Sequence, residues 1–97
     1  MPNDIKYKQM AAVMKALAHP TRLFILDQLN QREHHVGELT ELVGIDMSTM
    51  SRHLAVLKNA GIIDCAKQNN MMIYKLLCPC VLDIYQCMVR MREQVNG

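Results

Sequence analysis

Two groups of side chains in this sequence have the types and spacing to do chemistry. The first is the run Ser48, Thr49, Ser51, Arg52 and His53, which gathers short hydroxyls, a fork-shaped cation and an imidazole. Such groups hydrogen-bond to phosphate oxygens and to base edges, so the run is a candidate nucleic-acid contact. The second is the segment CPCVLDIYQC, which holds Cys78, Cys80 and Cys87. Thiolates select soft ions, and As(III) is held by three sulfurs. Cys78 and Cys80 flank Pro79 closely enough to share an ion. Cys87 lies about 10 Å further along a straight helix at ~1.5 Å per residue, so one ion cannot span all three. A third sulfur would have to come from a second copy of the chain, from Cys65, or from unwinding at Pro79. Cys78 and Cys80 are therefore the candidate metal ligands, for As(III), Cd or Zn. The redox alternative takes Cys78, Cys80 and Cys87, with the Cys80 thiol activated by a helix dipole. Small cysteines also serve as plain packing, which is the preferred reading of Cys65 and Cys87.

The rest of the composition narrows what these groups can belong to. A chain of 97 residues has material for one compact domain, here taken as 1–97, and little for an enclosed active site. No Cys/His pair, phosphate-cradling glycine loop or carboxylate pair has a pocket to sit in, so an enzyme is not expected. Half the residues are apolar (51%) but only 4% are aromatic, and nine Met and no Trp imply an aliphatic core suited to packed helices. A net charge of +2 is compatible with a polyanionic partner without arguing for one. No run resembles a signal peptide or a membrane span, so a cytoplasmic protein with reduced cysteines is expected.

These groups must be positioned by five helices and a hairpin. Met10, Val13, Met14 and Leu17 recur at helical spacing over 5–17, and the helix stops before His19-Pro20. Pro20 suits the first turn of a second helix, whose apolar positions 23, 26 and 29 and 24 and 25 mark it as buried on more than one side. Leu39, Leu42 and Val43 share one face of a short helix from Val36 to Val43, ended by Gly44. Asp46 caps the next helix, which keeps Met50, Leu54 and Leu57 inward until Gly61. Ile62 to Lys67 and Met71 to Leu77 read as two strands around Gln68-Asn69-Asn70. Pro79 opens a last helix to about 95, with an apolar stripe at Val81, Ile84, Tyr85, Met88 and Val95. The expected fold is mainly α with a small β-hairpin. It is a winged helix-turn-helix of five helices and a two-stranded wing, with Ser48, Thr49, Ser51, Arg52 and His53 on the helix that enters the major groove.

In this order and at this separation, the segments ALAHPTRLFILDQL, GELTELVGIDMSTMSRHLAVLKNAGII and IYKL resemble the ArsR family of winged-helix repressors. The resemblance implies a homodimer through the terminal helices 5–17 and 79–95. It also implies an inverted-repeat operator in double-stranded DNA and release by an inducer. It places Ser48, Thr49, Ser51, Arg52 and His53 on the recognition helix, with Met47 where the family often has a polar residue. Binding is expected to rest on Arg52, Lys58 and Lys67 and to fall steeply with salt. Lys58 reads equally as a solvated helix residue, and Arg22 as a structural residue or a phosphate contact. Metal-sensing relatives carry Cys-Val-Cys where this chain has His35-Val36-Gly37, and zinc-sensing ones use histidines on the last helix, where this chain has Asp83 and no His. Two alternatives stay open: a regulator without small-molecule input, and a protein-interaction module that has lost DNA binding.

Overall fold

The computed structural model describes residues 4–96, in the order α1 (Ile5–Leu17), α2 (Pro20–Gln31), β1 (His34–His35), α3 (Val36–Val43), α4 (Met47–Asn59), β2 (Ile63–Gln68), β3 (Met71–Leu76) and α5 (Val81–Asn96). The first four helices start where the sequence supplies a side-chain acceptor for N–H groups that have no partner within the helix. Asp4 accepts from Lys6, His19 from Thr21, His35 from Glu38 and Asp46 from Thr49. Glu38 accepts in turn from the His35 backbone, which closes a capping box. Gly44 ends α3 at φ 80° and Gly61 follows α4 at φ 78°, both left-handed conformations that a Cβ disfavours.

Ile25 and Leu26 of α2, Leu39 of α3, Met50, Leu54 and Leu57 of α4, and Ile62 and Ile63 are almost wholly removed from water and form one core. Each such side chain contributes roughly 1.5–3 kcal/mol of burial. The expected second buried side of α2 is supplied by Ile25, whereas Phe24 stays 40% exposed.

The wing has one strand more than expected. β2 and β3 pair antiparallel from Ile63 opposite Leu76 to Gln68 opposite Met71, around a two-residue turn with Asn69 and Asn70 at φ 50° and 65°. Two positive φ values in succession are what such a tight hairpin requires, and Asn tolerates them. The free edge of β3 is then covered by β1, with His34 opposite Tyr74 and His35 opposite Ile73. The chain leaving α2 passes along that edge to reach α3 and satisfies its backbone groups.

α5 starts at Val81 and not at Pro79. Residues 78–80 form a tight turn in which Val81, Leu82 and Asp83 donate to the carbonyls of Cys78, Pro79 and Cys80 at 3.1, 2.9 and 3.0 Å. None of the described side chains of this helix is buried in this chain, and α1 buries only Ala16 and Leu17. Both therefore present apolar side chains outward. No helix among the described residues is long and apolar enough to cross a membrane.

Candidate nucleic-acid interface

The stripe Met50, Leu54 and Leu57 fixes the rotation of α4 against the core, and with it the side chains that face out. Ser48, Ser51 and Arg52 are exposed, and Thr49 is half-buried at the flank. Arg52 forms no salt bridge among the described residues, which leaves its guanidinium available for a polyanion. The N-terminal end of α4 is already occupied in part, because the Asp46 carboxylate accepts from the Thr49 backbone at 3.3 Å. Hydrogen bonding to Thr49 holds the Asp46 carboxyl below its ordinary range, with a smaller contribution from Arg52. Met47 is half exposed, and its sulfur lies 3.8 Å from the Thr40 hydroxyl of α3. α3 packs against α4 across the Gly44 turn, the arrangement of a helix-turn-helix.

His53 departs from the expected exposed set: it is only 9% exposed and lies on the inner side of α4. Its Nδ1 accepts a hydrogen bond from Arg22 Nε at 3.1 Å, and its ring packs 4.6 Å from that of His19 at an interplanar angle of 59°. Arg22 Nη1 also donates to the Ala16 carbonyl at 3.2 Å. Arg22 thus ties the end of α1 and the start of α2 to the recognition helix, and the structural reading of this residue is the one its geometry supports. Burial pushes the His53 imidazole below its ordinary pKa, and neighbouring His19, Arg22 and Arg52 push the same way. His53 thus lies as an acceptor on the inner side of α4, away from the outward face that carries Ser48, Ser51 and Arg52.

Lys58 is exposed near the end of α4, and Lys67 is exposed near the tip of the wing, opposite Met72. Neither takes part in a salt bridge among the described residues. Spacing along the sequence had placed all the recognition residues on one helix; the structure separates them into an outward face and an inward anchor.

The cysteines fall into two environments. Cys65 is half-buried on β2 opposite Tyr74, whose phenol is pushed up by burial and, less strongly, by the thiol. Cys78, Cys80 and Cys87 are exposed, the first two in the turn before α5 and the third on that helix. Among the described residues, no three His, Cys, Asp or Glu side chains are placed to hold a metal ion, so Cys65 does not complete a site with Cys78 and Cys80 within one chain. His34 and His35 are occupied structurally. His34 is buried with Nδ1 2.9 Å from the Arg32 carbonyl, and His35 caps α3 through Nδ1. Glu38 bridges this corner to Arg32, and that hydrogen bond, followed by the one from the His35 backbone, pulls its carboxyl down to about 2.

Comparison with known proteins agrees with this geometry. A sequence profile described as "Bacterial regulatory protein, arsR family" matches residues 19–64. An uncharacterised HTH-type transcriptional regulator of Mycobacterium tuberculosis is 38% identical over 85 residues, covering 87% of this chain and 75% of that protein. Its crystal structure superposes with a TM-score of 0.81 over 93% of this chain and 91% of that one, at 35% identity. The biofilm growth-associated repressor of Agrobacterium fabrum is 40% identical over 70% of this chain and 58% of its own length. A solution structure from Mycobacterium bovis, described as a homodimeric winged helix-turn-helix DNA-binding domain of a possible ArsR-family regulator, matches with a TM-score of 0.84 at 26% identity. It covers 98% of this chain and 88% of that one. With the helix-turn-helix, the wing and these relatives in agreement, the chain belongs to the ArsR family of winged helix-turn-helix, DNA-binding transcriptional regulators.

Proposed function

We propose that this regulator is a cytoplasmic homodimeric repressor that holds an inverted-repeat operator and releases it when the Cys78 and Cys80 thiols bind As(III) or a similar thiophilic ion (Cd or Zn), or are oxidised. The observation that carries the DNA-binding part is the outward face of α4, where Ser48, Ser51 and Arg52 are exposed on a helix whose other face is fixed by Met50, Leu54 and Leu57. Two such helices in a dimer would meet successive turns of the major groove, about 34 Å apart. Dimerisation is supported by the unpartnered apolar faces of α1 and α5, where Met14 is 58% exposed, Met88 53% and Met91 63%. Between these helices and α2 runs an apolar groove of about 460 Å³, lined by Met14, Leu23, Ile84 and Met88 among others. The Mycobacterium bovis domain is described as a homodimer, and the Agrobacterium fabrum relative is named a repressor. The inducer part rests on two exposed thiols one residue apart in the turn that leads into α5. The role proposed is regulatory, in keeping with the relatives named transcriptional regulators.

One set of binding curves tests this reading. Duplexes from the regulator's own upstream region are titrated with the protein at moderate salt, with and without arsenite, cadmium, zinc or peroxide. The expected result is specific binding at least three decades tighter than to random duplex, lost with Arg52→Ala and weakened by at least one inducer unless Cys78 and Cys80 are changed to Ser. Equal affinity for every duplex would refute the repressor. An inducer effect that survives the double serine variant would refute the sensor.

A further inference from the structure

An open hollow of about 430 Å³ lies between the start of α2 and the flank of α4, lined by His19, Arg22, Thr49, Arg52, His53 and Asn59 among others. No carboxylate lines it. Both imidazoles already use Nδ1 as an acceptor, His19 from the Thr21 N–H and His53 from Arg22 Nε, each at 3.1 Å. Each neutral ring therefore carries its proton on Nε2, which remains as a donor.

We propose that this hollow receives one backbone phosphate of bound duplex DNA and that a proton is taken up onto the His19–His53 pair when it does. The inference rests on the DNA-binding reading above and adds a site to it. Phosphates flank any helix lying in the major groove, and Thr49 and Arg52 of α4 form part of the hollow's wall. In the free protein the charged groups that face His53 are cations, Arg22 from α2 and Arg52 from α4, and the His19 ring at the cap of α2 packs 4.6 Å away. Lys15 of α1 lines the neighbouring hollow with Arg22. Among the described residues, the one acid in contact with the hollow's wall is Asp46, whose carboxylate caps α4 at Thr49 and interacts with Arg52 while lying outside the lining itself. The His53 imidazole is accordingly held neutral, below its ordinary value. A phosphodiester in the hollow supplies the missing negative charge and favours the imidazolium. Protonation at His53 Nδ1 also ends its hydrogen bond from Arg22, which frees the Nε–H to turn to the phosphate. The proton comes from solvent and no covalent bond changes. Because the complex binds more protons than the free protein, affinity rises as pH falls through the histidine range.

Backbone contacts are indifferent to sequence, so a mixed-sequence duplex is a sufficient probe. Its Kd is measured by fluorescence anisotropy from about pH 8 to about pH 5.5 at fixed ionic strength, with the imidazole resonances titrated by NMR in parallel, with and without duplex. The expected result is a Kd that falls about tenfold for each histidine whose pKa rises one unit, a smaller slope for His53→Gln, and an upward move of the His19 or His53 titration on adding duplex. An equal slope in both proteins, or imidazole titrations unmoved by duplex, overturns the proposal. If the variant does not fold, the resonances of the unaltered protein decide. Absence of any duplex binding refutes the DNA-binding reading itself, whereas binding without proton uptake refutes only this site.

Discussion

Replacing Arg22 with Met tests the claim that the recognition helix is held from beneath. The change keeps the aliphatic stem and removes two hydrogen bonds, to His53 Nδ1 and to the Ala16 carbonyl. Hydrogen bonds from a charged donor contribute about 1.5–3 kcal/mol each, and less where the donor is partly solvated, as here. His53 Nδ1 would be left without its partner in a residue only 9% exposed, a further cost that the site can relieve by letting in water. Together these give an expected loss of about 2–4 kcal/mol, a large fraction of the ~5–15 kcal/mol that holds a domain of this kind. The measurement is urea unfolding at fixed protein concentration, since dimerisation makes the midpoint concentration-dependent. With a slope near 1–2 kcal/mol per molar, the midpoint should fall by roughly 1–4 M. A double-mutant cycle with His53→Leu isolates the Arg22–His53 term, because the Ala16 bond is lost with Arg22 in either background. The expected coupling is about 1–2 kcal/mol. A coupling below about 0.5 kcal/mol would refute the anchoring role, whatever the single variants cost.

Three other outcomes follow from the same structure. Gly44→Ala should cost about 1–2 kcal/mol in unfolding free energy through backbone strain alone, since φ is 80° and an added Cβ meets nothing within 4 Å. A loss beyond that would point to a contact the structure does not contain. Met88→Glu, on the exposed apolar face of α5, should shift the sedimentation profile to monomer and weaken operator binding about 100-fold by removing the linked second half-site. Unchanged sedimentation would remove α5 from the interface. The stability of the free protein should fall as pH drops through about 6.5, because His53 takes a proton more readily in the unfolded chain, and the decline should be shallower in His53→Leu. Urea midpoints at a series of pH values read both.

The elements were legible because local rules determine them. α1 and α3 have the bounds that periodicity predicts, and Asp46, Gly44 and Asn69-Asn70 occupy the cap, stop and turn their chemistry suits. What was not legible was set by partners distant in sequence. β1 is two residues long, too short to show alternation, and exists only because β3 offers an edge. The start of α5 moved from Pro79 to Val81 because a tight turn at residues 78–80 takes up the first carbonyls. The candidate thiols were visible as a pattern, but the pattern does not contain the exposure that distinguishes Cys78 and Cys80 from the half-buried Cys65.

His53 was within reach of the spacing rules. The inward stripe at 50, 54 and 57 becomes the full i, i+3, i+4, i+7 pattern of a buried face only when 53 is included. By spacing, position 53 belongs inside, although the polarity of its side chain points the other way. A buried imidazole must then have a partner, since polar groups removed from water are hydrogen-bonded in the great majority of cases. No local residue supplies one. The donor is Arg22, 31 positions away and itself ambiguous by sequence between structural and phosphate roles. Each residue resolves the other: the inward His53 requires a fixed donor, and a guanidinium shared between His53 and the end of α1 is held as an anchor in the free protein. That leaves Ser48, Ser51 and Arg52 on the outward face of α4, with the orientation of their helix fixed from the opposite, buried side.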